Sequence, residues 1–127
     1  MEYMRKVIVA AVIKNKKILL AKKKETWMLP GGKPEQGESD LECLCREISE
    51  EMSGSQLKPI SFYGNFQGTS PHKGDIVDVY VHFATITGNL KPSREISDVR
   101  FVEDFNNYAL SESSLKIISS LRNDGYL

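Results

Sequence analysis

From Val7 to Ile13 the chain reads VIVAAVI, an unbroken run of small and β-branched apolar residues. Such a run predicts a strand buried on both faces. Lys14, Asn15 and Lys16 make a polar turn, and KILLAK over 17–22 predicts a second strand, so 7–22 reads as a hairpin. Between 57 and 67, Ile60, Phe62, Tyr63 and Phe66 predict a strand with an aromatic face. Residues 76–87 alternate, with Val77, Val79, Val81 and Phe83 on one side and Asp78, Tyr80 and His82 on the other. The two segments read as a long antiparallel pair, joined by the turn formers of 68–75 (GTSPHKGD). Gly88 through Pro92 predicts another loop, 98–102 a short strand, and Leu110 to Leu121, with Leu115, Ile117, Ile118 and Leu121, a closing helix.

Between the strand signals the period changes. Pro30-Gly31-Gly32 and Pro34-Glu35-Gln36-Gly37 are loop formers. Ser39 followed three residues later by Glu42 is a capping box, which predicts a helix over about 40–52. Gly54 is expected to give its left-handed exit. Leu41, Leu44, Cys45, Ile48 and Met52 form an apolar stripe facing the core. Glu47, Glu50 and Glu51 project together from the face beside it, since a helix turns about 100° per residue. Three like charges there repel one another. The arrangement makes most sense if a hard divalent cation neutralises it, and carboxylates with phosphate oxygens are the surroundings Mg²⁺ prefers. Cys43, one turn before Glu47, reads as a small filler beside this face.

Composition narrows the partners. A chain of 127 residues fits one domain over 1–127, and no linker-like stretch divides it. Lys+Arg and Asp+Glu both number 17, so no global positive field attracts long nucleic acids. A phosphorylated small molecule would have to be held locally. Lys22, Lys23 and Lys24 form a basic cluster, read either as solvated surface or as a source of one phosphate contact. Cys43 and Cys45 fit neither a zinc nor a thioredoxin spacing and read as free thiols in a reducing compartment. No stretch is long enough to span a bilayer, so no membrane partner is expected and the cytoplasm is the expected location.

The segment Gly32–Gly54, GKPEQGESDLECLCREISEEMSG, closely resembles the Nudix box, the signature of hydrolases that cleave nucleoside diphosphates linked to another moiety. Gly32, Glu38, Arg46, Glu47, Ile48, Glu50 and Glu51 match its spacing, and Trp27-Met28-Leu29-Pro30-Gly31-Gly32-Lys33 resembles its usual lead-in. The family's closing Gly-aliphatic pair falls on Ser53 and Gly54, so the glycine comes one residue late. Glu95-Ile96-Ser97-Asp98-Val99-Arg100-Phe101-Val102 resembles the strand that follows the second hairpin in many members. The resemblance implies an α/β (α+β) fold, an α/β/α sandwich with a mixed β-sheet between helices.

It also implies roles. Glu47, Glu50 and Glu51 are the implied ligands of Mg²⁺ or Mn²⁺, with Glu47 as ligand, base or both and Glu38 as an outer carboxylate. The carbonyl of Gly32 is a further candidate ligand, because a turn without side chains lets the backbone approach a metal. Arg46 is expected to orient a carboxylate by pairing with Glu50 one turn on. Trp27, Lys33 and Glu95 are the candidate substrate contacts. Glu95 reads equally as a site carboxylate or as surface. Trp27, Phe62, Phe66 and Tyr80 offer aromatic faces to a base, with core packing the expected fate of most and Trp27 the best candidate. His72 is a loop residue with a phosphate or base contact as its sharper reading, and His82 reads as structural.

These expectations favour a nucleoside triphosphate pyrophosphatase of the MutT type acting on a small-molecule nucleotide. Hydrolysis of ADP-ribose, another nucleotide sugar or a dinucleoside polyphosphate is the alternative within the class. A nucleotide-sensing Nudix module without turnover, or an interaction protein docking a basic partner through its acidic helix, are alternatives outside it. Family members are often dimers, so a homodimer is an expectation, though no feature specifies its interface.

Overall fold

The computed structural model describes residues 4–127. In chain order the elements are β1 (Arg5–Ala11), β2 (Ile13–Lys14), β3 (Lys17–Lys23), β4 (Thr26–Met28), β5 (Gly31–Gly32), α1 (Asp40–Glu51), β6 (Met52–Thr69), β7 (Ile76–Pro92), β8 (Ile96–Val102) and α2 (Glu112–Asn123). Alternation along β1 and β3 builds two cores. Ile8, Ala10, Leu19 and Ala21 face one side, where Leu44 and Ile48 of α1 close the packing. Val9, Ala11, Ile18 and Leu20 face the other, where Ile117 and Leu121 of α2 close it. A strand is read as fully apolar when both its faces are covered, which is why these runs show no polar alternation. The result is a mixed α+β fold with strands between two helices.

The strand layer is split in two. One sheet has the order β5-β1-β7-β6, with β1 parallel to β7 from Arg5↔Val77 to Ala11↔Phe83. In the other, β3 pairs antiparallel with β2, β4 and β8. The hairpin expected over 7–22 therefore does not form as one unit. Only β2 folds back on β3, through Asn15 and Lys16 at φ 54° and 64°. β1 instead becomes an interior strand between β5 and β7, as a run buried on both faces permits.

The long antiparallel pair is β6 with β7. It runs further than expected, and the loop read at 88–92 is strand. Gly54 and Gly88 lie at φ 85° and 86° where the register shifts, and a Cβ on Gly88 would sit 2.3 Å from the carbonyl oxygen of Gly54. The two glycines let the ladder cross an irregularity and continue. Gly54 is thus a bulge residue and not the exit of α1. The helix ends at Met52, φ −130°, whose N–H still donates to the Ile48 carbonyl, and the chain passes directly into β6. The late glycine leaves the turn carrying Glu50 and Glu51 intact.

The capping box is present: Ser39 N–H donates to Glu42 Oε1 at 2.9 Å and Glu42 N–H to Ser39 Oγ at 3.1 Å. The buried stripe of α1 is rotated from the expected one. It takes in Cys43 and Glu51 with Leu44 and Ile48, and leaves Leu41 45% exposed. Leu115 of α2 is likewise 51% exposed. That rotation draws the acidic face of α1 toward the core.

Candidate active site

Two consecutive glycines receive the acidic face of α1. Gly31 and Gly32 form β5, paired with Val9 and Ile8 of β1. A Cβ on Gly31 would lie 2.0 Å from the Ile8 carbonyl oxygen, and its φ is 151°, so the close approach to β1 requires glycine. Its N–H donates to Glu51 Oε1 at 3.1 Å. A Cβ on Gly32 would lie 2.2 Å from Cδ of Glu47, so the Glu47 carboxylate rests directly on that bare backbone. Sequence order places the turn before the helix; the fold closes it against residues a full turn or more into the helix.

The carboxylates there are short of compensation. Glu51 is 6% exposed. Burial first, then the Glu47 charge, pushes its carboxyl up to about 8, with Glu95 adding and the Gly31 N–H and Lys23 opposing. Burial also raises Glu47, against the pull of Arg46, with Glu50 and Glu95 pushing the same way as burial. Glu95 thus belongs with Glu47 and Glu51, and all three line one cleft of about 260 Å³.

Arg46 organises the neighbours. It grips Glu38 through two nitrogens, at 2.7 and 2.9 Å, reaches Glu47 at 3.0 Å, and donates to the Lys33 carbonyl at 3.1 Å. The pairing with Glu50 expected from the helical period is present only at 3.4 Å. The loop carboxylate wins because the planar guanidinium meets both its oxygens. Arg46 therefore holds Glu38 well below the usual range, at about 2. Glu38 and Glu50 do not line the cleft. As they stand, no three His, Cys, Asp or Glu side chains among the described residues converge into a ready cation cage. Yet the donors are hard carboxylate oxygens, one of them buried at a cost that a bound cation relieves, so the set suits Mg²⁺ or Mn²⁺. The Gly32 carbonyl, at the same turn, accepts the Cys43 thiol at 3.5 Å. Burial, then Glu38 and Glu47, push that thiol up to about 12, consistent with a filler and not a nucleophile.

The remaining candidates divide. Lys33 lines the cleft. Of the lysine cluster, Lys23 lines it too, while Lys22 lies over the Trp27 ring at 6.0 Å. Trp27 does not reach it. Its side chain is 6% exposed, edge-on to Tyr108 at 5.1 Å and covered by Arg100 at 5.6 Å, so it is a core wedge with no face for a base. Phe62, Phe66 and Tyr80 also lie outside the cleft. No local pattern signalled that Arg5, Lys73 and the serines opening α2 would line it. Arg5 arrives through the parallel register with β7, a long-range pairing that local pattern does not encode.

The chain matches the NUDIX domain family over residues 4–116. No curated protein matches it. It is similar to a solved UDP-X diphosphatase at 22% identity and TM-score 0.79, covering 98% of this chain and 65% of that one; the chain thus spans under two thirds of that protein's length. It is similar to a MutT NUDIX hydrolase from Burkholderia pseudomallei at 24% identity and TM-score 0.80, covering 93% and 98%. It is also similar to an ADP-ribose pyrophosphatase from Streptococcus suis at 18% identity and TM-score 0.76, covering 97% and 93%.

Proposed function

Because the chain belongs to the Nudix family of hydrolases, which act on phosphorus-containing anhydrides, we propose that it is a Mg²⁺- or Mn²⁺-dependent pyrophosphatase of the MutT type, cutting a phosphoanhydride in a nucleoside triphosphate. One observation carries this reading: a buried Glu51 that shares the wall of one cleft with Glu47 and Glu95, its carboxyl raised first by desolvation.

The proposed ligands are Glu47, Glu50 and Glu51, with Glu38 and the Gly32 carbonyl completing the set. Bound Mg²⁺ or Mn²⁺ supplies charge neutralisation at the phosphate oxygens and a lowered pKa for water. The chain's own groups do the rest. The Gly31 N–H fixes one oxygen of Glu51 and leaves the other free. Glu47, seated on Gly32, is the proposed base that takes the proton of the attacking water. Arg46 keeps Glu38, Glu47 and Glu50 in one array and prevents their mutual repulsion from dispersing them. Lys23 and Lys33 place positive charge in the cleft for the phosphates. Glu95 supplies a further carboxylate to the cleft.

The likeness to a UDP-X diphosphatase and to an ADP-ribose pyrophosphatase adds nucleotide sugars to the compounds worth offering. The test is a panel of ribo- and deoxyribonucleoside triphosphates, ADP-ribose, UDP-sugars and dinucleoside polyphosphates, supplied with each cation and assayed for phosphate, pyrophosphate or monophosphate release. Turnover of a triphosphate, lost in Glu51→Gln, supports the reading. A folded protein that binds nucleotides and leaves every one intact is a sensor, and the hydrolase reading then fails.

A further inference from the structure

The cleft is largely apolar away from its charged rim. Val9, Val79, Leu29, Ile96 and Ile117 contribute to it, and among the described residues that line it His72 supplies the one aromatic ring. Every aromatic side chain that the sequence offered for a base is elsewhere. His72 also carries an anomaly. Its Nε2 is sealed from bulk water and has no hydrogen-bond partner. A buried polar atom left unpaired is a cost that folded proteins rarely leave unrelieved.

The loop that presents this ring is built, not slack. Arg5 donates to both carboxylate oxygens of Asp75, at 3.0 and 3.2 Å, and to Ser70 Oγ at 3.2 Å. Ser70 N–H donates to the Asp75 carbonyl at 2.7 Å, Gly74 N–H to the Ser70 carbonyl at 3.0 Å, and Lys73 N–H to Ser70 Oγ at 3.4 Å. Ser70 itself is 6% exposed. The guanidinium thus ties both ends of 70–75 to the first residue of β1, and His72 sits at the middle of the tied segment. The terminal ring torsion of histidine is broad, so a ligand in the cleft can draw Nε2 into a hydrogen bond.

Lys23 lines the cleft together with the carboxylates and His72, and its charge reaches both Glu51 and the imidazole. Phosphates held at the carboxylate end leave His72 to meet what lies beyond them. Burial, then Lys23 and Lys24, lower the pKa of the ring below its ordinary value, so at neutral pH it is an uncharged hydrogen-bonding group and not a phosphate clamp.

We propose that His72 is a substrate-reading residue, whose Nε2 hydrogen-bonds the organic part of the nucleotide beyond the phosphates, and that Arg5 is the positioning residue that holds its loop. This rests on the nucleotide reading of the cleft given above. It predicts that His72→Ala and His72→Phe raise KM at least tenfold for the best triphosphate of the panel, with the loss on KM and not on kcat. His72→Asn, which restores a donor and an acceptor, should recover part of it. Arg5→Gln should raise KM in the same direction through the loop.

A second measurement needs no turnover. The chain has two histidines, and His82 does not line the cleft, so it serves as an internal reference. Imidazole ¹⁵N resonances, assigned with His72→Asn, are followed while the same nucleotides are added with Mg²⁺. A shift at the His72 nitrogens with His82 unmoved supports the proposal. His72→Phe equal to wild type in KM, His72→Ala within twofold, or His72 nitrogens unmoved at saturating nucleotide each overturn it. If no compound is hydrolysed, the hydrolase reading fails alone and the resonances decide this one.

Discussion

Replacing Glu51 by Gln should stabilise the metal-free protein at neutral pH while abolishing turnover. The carboxyl moves from an ordinary 4.5 in the unfolded chain to about 8 in the folded one. For an acid raised on folding, the contribution to stability is fully present below the unfolded value and is lost as pH rises through the folded value. The window is therefore about pH 4.5 to 8. At pH 7 the folded chain still holds a proton that the unfolded chain has released for about 2.5 pH units. At roughly 1.4 kcal/mol per unit, the penalty is roughly 3 kcal/mol. With 127 residues and an unfolding entropy of about 2.1 cal/mol/K per residue, that is a Tm difference of about 10 °C. Gln keeps the acceptor for Gly31 N–H and is never charged, so it escapes the penalty. Thermal unfolding in EDTA should give variant and wild type similar Tm near pH 5 and separate them, variant above, near pH 7.5. Added Mg²⁺ should then raise the wild type and leave the variant unmoved. A gap that is the same at both pH values, or a variant less stable at neutral pH, would falsify the assignment of Glu51 as a desolvated carboxylate.

The two glycines of the turn should respond differently to alanine. Gly32→Ala presses on the mobile end of Glu47, so it should fold with Tm little changed and lose on the order of 10²-fold in kcat, read by parallel melting and kinetics. Gly31→Ala meets the backbone of Ile8 at positive φ, so it should fail to express as folded protein or melt far earlier. Glu38 is held at about 2 by Arg46, a lowered acid whose contribution is present above about pH 4.5 and lost as pH falls toward 2. Acid titration of stability should show that loss in wild type and a flatter curve in Arg46→Ala; identical curves would discard the clamp. Leu19→Ala, fully buried in the core, should cost about 2–5 kcal/mol in denaturant melts, whereas Leu115→Ala, half exposed on α2, should change stability by about 0.5 kcal/mol or less.

Local chemistry was legible where it acts over a few residues. The capping box at Ser39 and Glu42, the span of α1, the β6–β7 alternation and the spacing of Glu47, Glu50 and Glu51 all follow from helix and strand periods, which the chain carries in its own order. What required the tertiary structure were choices between distant partners. Whether β1 pairs with β3 or with β7 depends on which faces are covered, and parallel pairing with β7 is what brings Arg5 to the loop holding His72. Periodicity alone placed Leu41 inward; packing against the strands rotated the stripe toward Cys43 and Glu51. Arg46 had Glu50 within helical reach, but the folded loop offered it both oxygens of Glu38. Trp27 looked like a stacking surface until Tyr108 and Arg100, some 70 to 80 residues away, covered it. The sequence by itself determined which groups carry charge and at what helical phase, because those depend on covalent order. Only the folded chain decided which of them are stripped of water, because desolvation is set by neighbours that the covalent order does not place side by side.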